Sequence, residues 1–156
     1  MMTARASEQE LVARVGADVL AGRWGSIVRQ AAADRVAITA NLASHDLAAH
    51  VRPDLLGAVD ELVQRVTELA PTLHQLDAAL DPEMVAGIDR RLEASRQGGD
   101  DPAQARLTMM LERQRASLAE LEERRARLMR QIDAASLAIA RVRYETRRAR
   151  DRKPPA

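Results

Sequence analysis

Any metal or acid–base chemistry in this 156-residue chain would have to start from its three histidines, His45, His50 and His74. Two ligands share a helix face when they are four apart, as in HExxH, whereas His45 and His50 are five apart and no HExxH occurs. All three therefore read as polar helix-surface residues, with His74 flanking the apolar positions Leu73 and Leu76. Ser44-His45-Asp46 contains the residue types of a hydrolytic triad, but a triad depends on convergence in space, which adjacent positions cannot achieve. A helix-capping loop is the expectation there. Asp60-Glu61 and Glu122-Glu123 fall among arginines at helical spacing, as solvated ion-pair faces do, and nothing apolar surrounds them to raise a carboxyl pKa. Gly16, Gly22, Gly25, Gly57, Gly87, Gly98 and Gly99 form neither GxGxxG nor a loop ending in GK[ST], so a phosphate-binding loop is excluded. With no cysteine, thiolate sites and disulfides are excluded as well. The expectation is a chain without catalytic residues, metal, cofactor or small-molecule substrate.

One charged patch remains. Arg141, Arg143, Arg147, Arg148, Arg150, Arg152 and Lys153 crowd the C-terminal end, offset by Glu145 and Asp151. Cations near a helix C-terminus complement its dipole, so a structural role is available. The same six arginines are the candidate contacts for an anionic partner: nucleic acid phosphates, an anionic membrane surface, or acidic protein. Trp24 and Tyr144 are the only aromatics, which leaves little for stacking single-stranded bases. Docking on the chain's own acidic half, or on a protein partner, is the preferred reading.

The elements that must position these groups are helices. Hydrophobic residues make up 46% of the chain, nearly all Ala, Leu, Val, Ile and Met, and Phe is absent. Such a composition forms helix in preference to sheet. Ser7 and Glu10 have capping-box spacing, with Leu11, Val15 and Val19 behind them. Ser26 is placed to cap a second helix carrying Ile27, Ala31, Ile38 and Leu42, and Asp46 to cap a turn before Pro53. Leu55, Val59, Leu62, Val66, Leu69, Leu73, Leu76 and Leu80 then alternate spacings of four and three, a heptad seam. Pro71 inside it predicts a kink or a restarted helix. Asp81-Pro82-Glu83 starts another helix with Met84, Ile88 and Leu92 on its stripe. After Gly98-Gly99, Asp101-Pro102 opens the last helix. Its seam reads Leu107, Leu111, Gln114, Leu118, Leu121, Arg125, Leu128, Ile132, Ala135, Ile139, Val142, with Gln114 and Arg125 as polar members able to set register.

Charge divides the chain. Residues 1–101 hold 10 arginines against 16 acids, a balance of −6, and 102–156 hold 14 bases against 7 acids, a balance of +7. Opposite halves attract, within one chain or between two copies. No run approaches the roughly 20 apolar residues of a membrane span, and the first ten residues lack the apolar stretch of a signal peptide, which points to the cytoplasm.

Two stretches carry a resemblance. The first runs from Asp34-Arg35 to Leu42 and then through Pro53-Asp54-Leu55-Leu56, Val59, Leu62-Val63, Arg65-Val66, Leu69-Ala70 and Leu73-His74-Gln75-Leu76-Asp77. The second runs from Leu111-Glu112-Arg113-Gln114-Arg115-Ala116-Ser117-Leu118 to Ser136-Leu137-Ala138-Ile139-Ala140-Arg141-Val142-Arg143. Together they resemble the non-catalytic, helical coiled-coil region that follows the catalytic domain in some bacterial serine/threonine protein kinases. The kinase glycine-rich loop, strand lysine, HRD loop and DFG are all missing. The resemblance thus implies an accessory of such kinases, not phosphoryl transfer.

The expected architecture is all-α: an acidic N-terminal bundle segment (1–97), a loop (98–101), a long basic coiled-coil helix (102–150) and a disordered tail (151–156). The expected function is protein–protein interaction by a homodimer. Its interaction seam would be Leu107, Leu111, Leu118, Leu121, Leu128, Ile132, Ile139 and Val142. Nucleic-acid binding through the basic end is the alternative.

Overall fold

A computed structural model describes residues 2–44 and 51–152, with the side chains of 7–44 and 53–152. Among the described residues all regular structure is helical: α1 (Met2–Val15), α2 (Ala17–Ala21), α3 (Gly25–Ala43), α4 (Val51–Ala79), α5 (Pro82–Arg96) and α6 (Pro102–Asp151). The chain forms two compact units, Met1–His74 with Met129–Ala156, and Gln75–Leu128. The boundaries fall inside α4 and α6, so the expected division at Gly98 is not the division found. Each of these two helices contributes a segment to both units.

In the first unit, glycines set the entry to the bundle. Gly16, at a φ of +93°, separates α1 from α2, a conformation that costs other residues steric strain. Gly25 opens α3 so close to α2 that an added Cβ would sit 1.9 Å from the Leu20 carbonyl oxygen. Arg29 Nη1 donates to that same carbonyl at 2.9 Å, satisfying an acceptor at the end of α2. Trp24 is buried in this turn, and the Arg23 guanidinium lies 4.9 Å from its ring centroid. Ser7 and Ser26 lie inside α1 and α3, so neither caps a helix as the spacing suggested. His45, Asp46 and His50 lie outside the described residues.

Three helices close the unit. Arg35 of α3 pairs with Asp60 of α4, Arg65 of α4 donates to Gln131 of α6 at 3.1 Å, and Arg143 of α6 pairs with Asp34 of α3 at 2.7 Å. Between them Val28, Ile38, Leu42, Val59, Val66, Leu73, Ile132 and Ile139 are fully buried. On the scale of about 1.5–3 kcal/mol per fully buried aliphatic side chain, these dominate the stability of the unit. Leu11, Val15 and Val19 add the contribution of α1 and α2. His74 is half-buried on α4, its ring against Gly22: an added Cβ there would come 3.1 Å from Nδ1. Contrary to a restart at Pro71, α4 continues unbroken through it. The proline removes one N–H from the helix ladder, and the packing of Val66, Ala70 and Leu73 holds the helix across the gap.

The second unit is an antiparallel helical hairpin. Asp81 caps α5 by accepting from the Glu83 N–H at 3.1 Å, with Pro82 at the first position, as its sequence predicts. Asp101 does the same for α6 through the Ala103 N–H at 3.2 Å. Gly99, at a φ of +85°, turns the chain between them. The pairs Asp89 with Arg115, Ser95 with Thr108 and Arg96 with Glu112 run in opposite directions along the two helices. Leu76, Ile88, Leu92, Leu111 and Leu118 form the core of this unit.

Candidate interaction surface

The expected interaction seam is mostly interior. Leu111 and Leu118 are buried in the second unit, and Ile132 and Ile139 in the first. Leu121, Leu128 and Val142 are half-buried, and Leu107 is exposed at 37%. The seam therefore packs against the chain's own helices, and at its buried positions no partner helix can reach it in the folded chain. Of its polar members, Arg125 pairs with Asp77 within the second unit, and Gln114 faces solvent.

The contact between α3 and α6 carries a polar ladder. Asp34, 3% exposed in the bundle, accepts from Arg143 Nη1 at 2.7 Å and from Gln30 Nε2 at 2.9 Å. One heptad further along both helices, Asn41 accepts from Arg150 Nη1 at 3.0 Å and donates to Thr146 Oγ1 at 3.2 Å. Asp34 with Arg143 and Asn41 with Arg150 share the same sequence offset of 109, so the two helices run parallel in heptad register. A shift of one turn would strand a buried carboxylate and a buried amide, each costly without a partner. The ladder thus fixes register.

It also sorts the six candidate arginines. Arg143 and Arg150 are committed to α3. Arg141 makes only a solvent-exposed pair with Glu145, one turn away. Arg147, Arg148 and Arg152, together with Arg130, are exposed and have no side-chain hydrogen bond or ion pair among the described residues.

On the side of α6 turned away from the bundle, Arg130, Ala134, Leu137, Arg141, Tyr144 and Arg148 follow one another at alternating spacings of four and three. Leu137 is 70% exposed and Tyr144 64%. This is a second, outward heptad stripe, back to back with the buried one, and it mixes apolar and cationic positions. The two stripes are interleaved in sequence, which is why a search for apolar spacing alone passes over the outer one. Asp34, Asn41 and Thr146 were missed for a related reason. Each occupies an apolar-type position of its helix, and Thr146 continues the seam four residues beyond Val142.

Elsewhere in the first unit, an open groove of about 440 Å³ lies between α1, α3 and α4, floored by Leu11, Ala32, Val36 and Val63. Its rim holds Glu10, Arg14 and the Arg35–Asp60 pair. The hydrogen bond that Arg35 donates to the Asp60 carboxylate holds its guanidinium above its ordinary pKa. On α1, the Arg29 guanidinium holds the Glu8 carboxyl below the usual carboxylate range by hydrogen bonding to it at 2.7 Å. These shifts keep ordinary charges in place and prepare no group for proton transfer. Among the described residues no three His, Cys, Asp or Glu side chains are placed to hold a metal ion, and no helix is long and apolar enough to cross a membrane. Comparison with protein-family models, with curated proteins and with solved structures finds no match to this chain.

Proposed function

We propose that this chain is a non-enzymatic protein–protein interaction module, a scaffold or regulator that presents the outer face of α6. The observation that supports this is the exposure of Leu137 and Tyr144, at 70% and 64%, among the guanidiniums of Arg130 and Arg148, which have no partner among the described residues, and of Arg141, which has only an exposed one. Exposed apolar side chains ringed by charge mark contact surfaces, and tyrosine and arginine are the residue types most enriched where binding energy concentrates. The resemblance to the helical region following bacterial serine/threonine kinase domains supplies a class of partner: a cytoplasmic kinase signalling assembly, with this chain as accessory. A photo-crosslinking amino acid placed at Leu137 in living cells tests the reading. Discrete protein adducts are expected from that position and not from exposed Glu93 on α5. Equal, diffuse background from both positions overturns it.

A second reading, nucleic-acid binding, is favoured by one observation: Arg147, Arg148 and Arg152 have no partner among the described residues. It predicts an affinity for duplex DNA that falls steeply with salt, with a slope that flattens when all three become Gln. The interaction-module reading predicts only non-specific binding, with Kd about 10⁻⁴–10⁻⁶ M at physiological salt.

A further inference from the structure

We infer that the outer face of α6 docks on the outer face of α4 of a second copy of this chain; the inference rests on the interaction-module reading and names the partner. The α4 face is the observation that points there. In the first unit, Asp54, Glu61 and Glu68 lie seven residues apart along the solvent side of α4 and are exposed. None of them has an ion pair among the described residues. Glu68 accepts from the neutral Gln64 amide at 3.0 Å. Arg65, beside this stripe, is turned toward Gln131 of its own α6. The three acids therefore present negative charge at heptad spacing, in excess over the single cation Arg65 and without an ion pair among the described residues.

Across from them, Arg141 and Arg148 are also seven apart, at a matching rise of about 10 Å along the helix. Their alternates Leu137 and Tyr144 repeat at seven as well, and α4 offers Gly57 and Ala58 between its acids. Nothing lies within 4 Å of the position a Cβ would take at Gly57, so that spot is open to an incoming side chain. Leu137 or Tyr144 facing the small residues Gly57 and Ala58, flanked by arginines facing carboxylates, makes the two helix faces complementary in charge and, over that turn, in relief. Neither face can satisfy the other within one molecule, since both point away from the core that α4 and α6 share. Arg141 gives up only its pair with Glu145, which is exposed to solvent on both sides and therefore weak. The expected seam plays no part, because its buried positions are already filled from within the chain.

Sedimentation equilibrium of the full chain tests this, with two charge-reversed variants, Arg141→Glu/Arg148→Glu and Glu61→Arg/Glu68→Arg. The wild type is expected to exceed monomer mass as concentration rises, with about tenfold or greater weakening between low and molar salt. Each variant alone is expected to be monomeric, because its two faces now repel. Their equimolar mixture is expected to associate again, since the reversed α6 face of one variant meets the reversed α4 face of the other and their native faces meet each other. That recovery also shows that neither variant has simply misfolded. A wild type that stays monomeric, variants that associate as the wild type does, or a mixture that stays monomeric each overturns the inference. If the wild type is monomeric while Leu137 still crosslinks to a different protein, self-docking fails and the interaction-module reading stands.

Discussion

Replacing Arg143 by Met tests whether the polar ladder between α3 and α6 holds the first unit in register. The change keeps most of the aliphatic packing and removes the cation. Asp34, whose side chain is 5% exposed, would keep only the Gln30 amide at 2.9 Å. Breaking a fully buried pair costs about 3–5 kcal/mol, and one hydrogen bond to a charged group contributes about 1.5–3 kcal/mol. The Arg143 side chain is 42% exposed, so water already shares its charge and the lower range applies. The expected loss is about 2–3 kcal/mol, or about 5–10 °C in Tm for a chain of this size. Urea unfolding followed by Trp24 fluorescence measures it, because the single tryptophan is buried in the same unit. The control is Arg147→Met, an exposed residue without a partner among the described residues, expected to change stability by less than about 0.5 kcal/mol. Adding Asp34→Asn to Arg143→Met removes the stranded charge and should recover about 1 kcal/mol or more. If Arg143→Met and Arg147→Met lose the same amount, the ladder does not hold the register.

Ile139→Ala, at a position with no exposure, should cost about 2–5 kcal/mol, whereas Leu107→Ala should cost under about 1 kcal/mol; denaturation midpoints of the two variants check the ranking. Gly25→Ala drives a Cβ into the Leu20 carbonyl and should destabilise by at least about 2 kcal/mol, while Gly87→Ala, with only the tip of Arg90 3.9 Å away, should stabilise α5 by up to about 1 kcal/mol. Because the folded state lowers the Glu8 pKa, the Glu8–Arg29 pair stabilises the protein above the unfolded glutamate pKa and its contribution fades as pH falls through the folded value. The Tm difference between wild type and Glu8→Gln should therefore be present at pH 7 and shrink below about pH 4.

Spacing made the helices legible because burial on a helix repeats every three or four residues, and the seams from Leu55 to Leu80 and from Leu107 to Val142 keep that rhythm without a gap. Asp81-Pro82 and Asp101-Pro102 located two helix starts for an equally local reason: cap and proline act within one turn. The break at Gly16 was not legible, since the apolar rhythm of Leu11, Val15 and Val19 runs straight across it. Whether a seam is filled from within or by a partner is not local information at all. The Leu111 to Ile139 positions look the same in both cases, and only the positions of α3, α4 and α5 decide it. The buried polar residues were hidden because Asp34, Asn41 and Thr146 read as surface types until their partners, more than 100 residues away, are seen opposite them. The outward stripe on α6 was hidden by its mixture of arginine with leucine and tyrosine, which resembles a solvated face.

The first unit draws on two separated stretches, Met1–His74 and Met129–Ala156, and that arrangement governs the order of birth. During translation α1 to α4 emerge well before the closing segment of α6 exists, and the residues of the second unit are made in between. At about 5–20 residues per second, that interval lasts from about 3 to about 11 seconds. Throughout it, the apolar flanks of Ile38, Leu42, Val59 and Val66 have no α6 to lie against, while the α5–α6 hairpin already has most of its own. Nascent α3 and α4 thus pass through a window in which a chaperone, or α6 from a neighbouring finished chain, competes for the place that Ile132 and Ile139 will take.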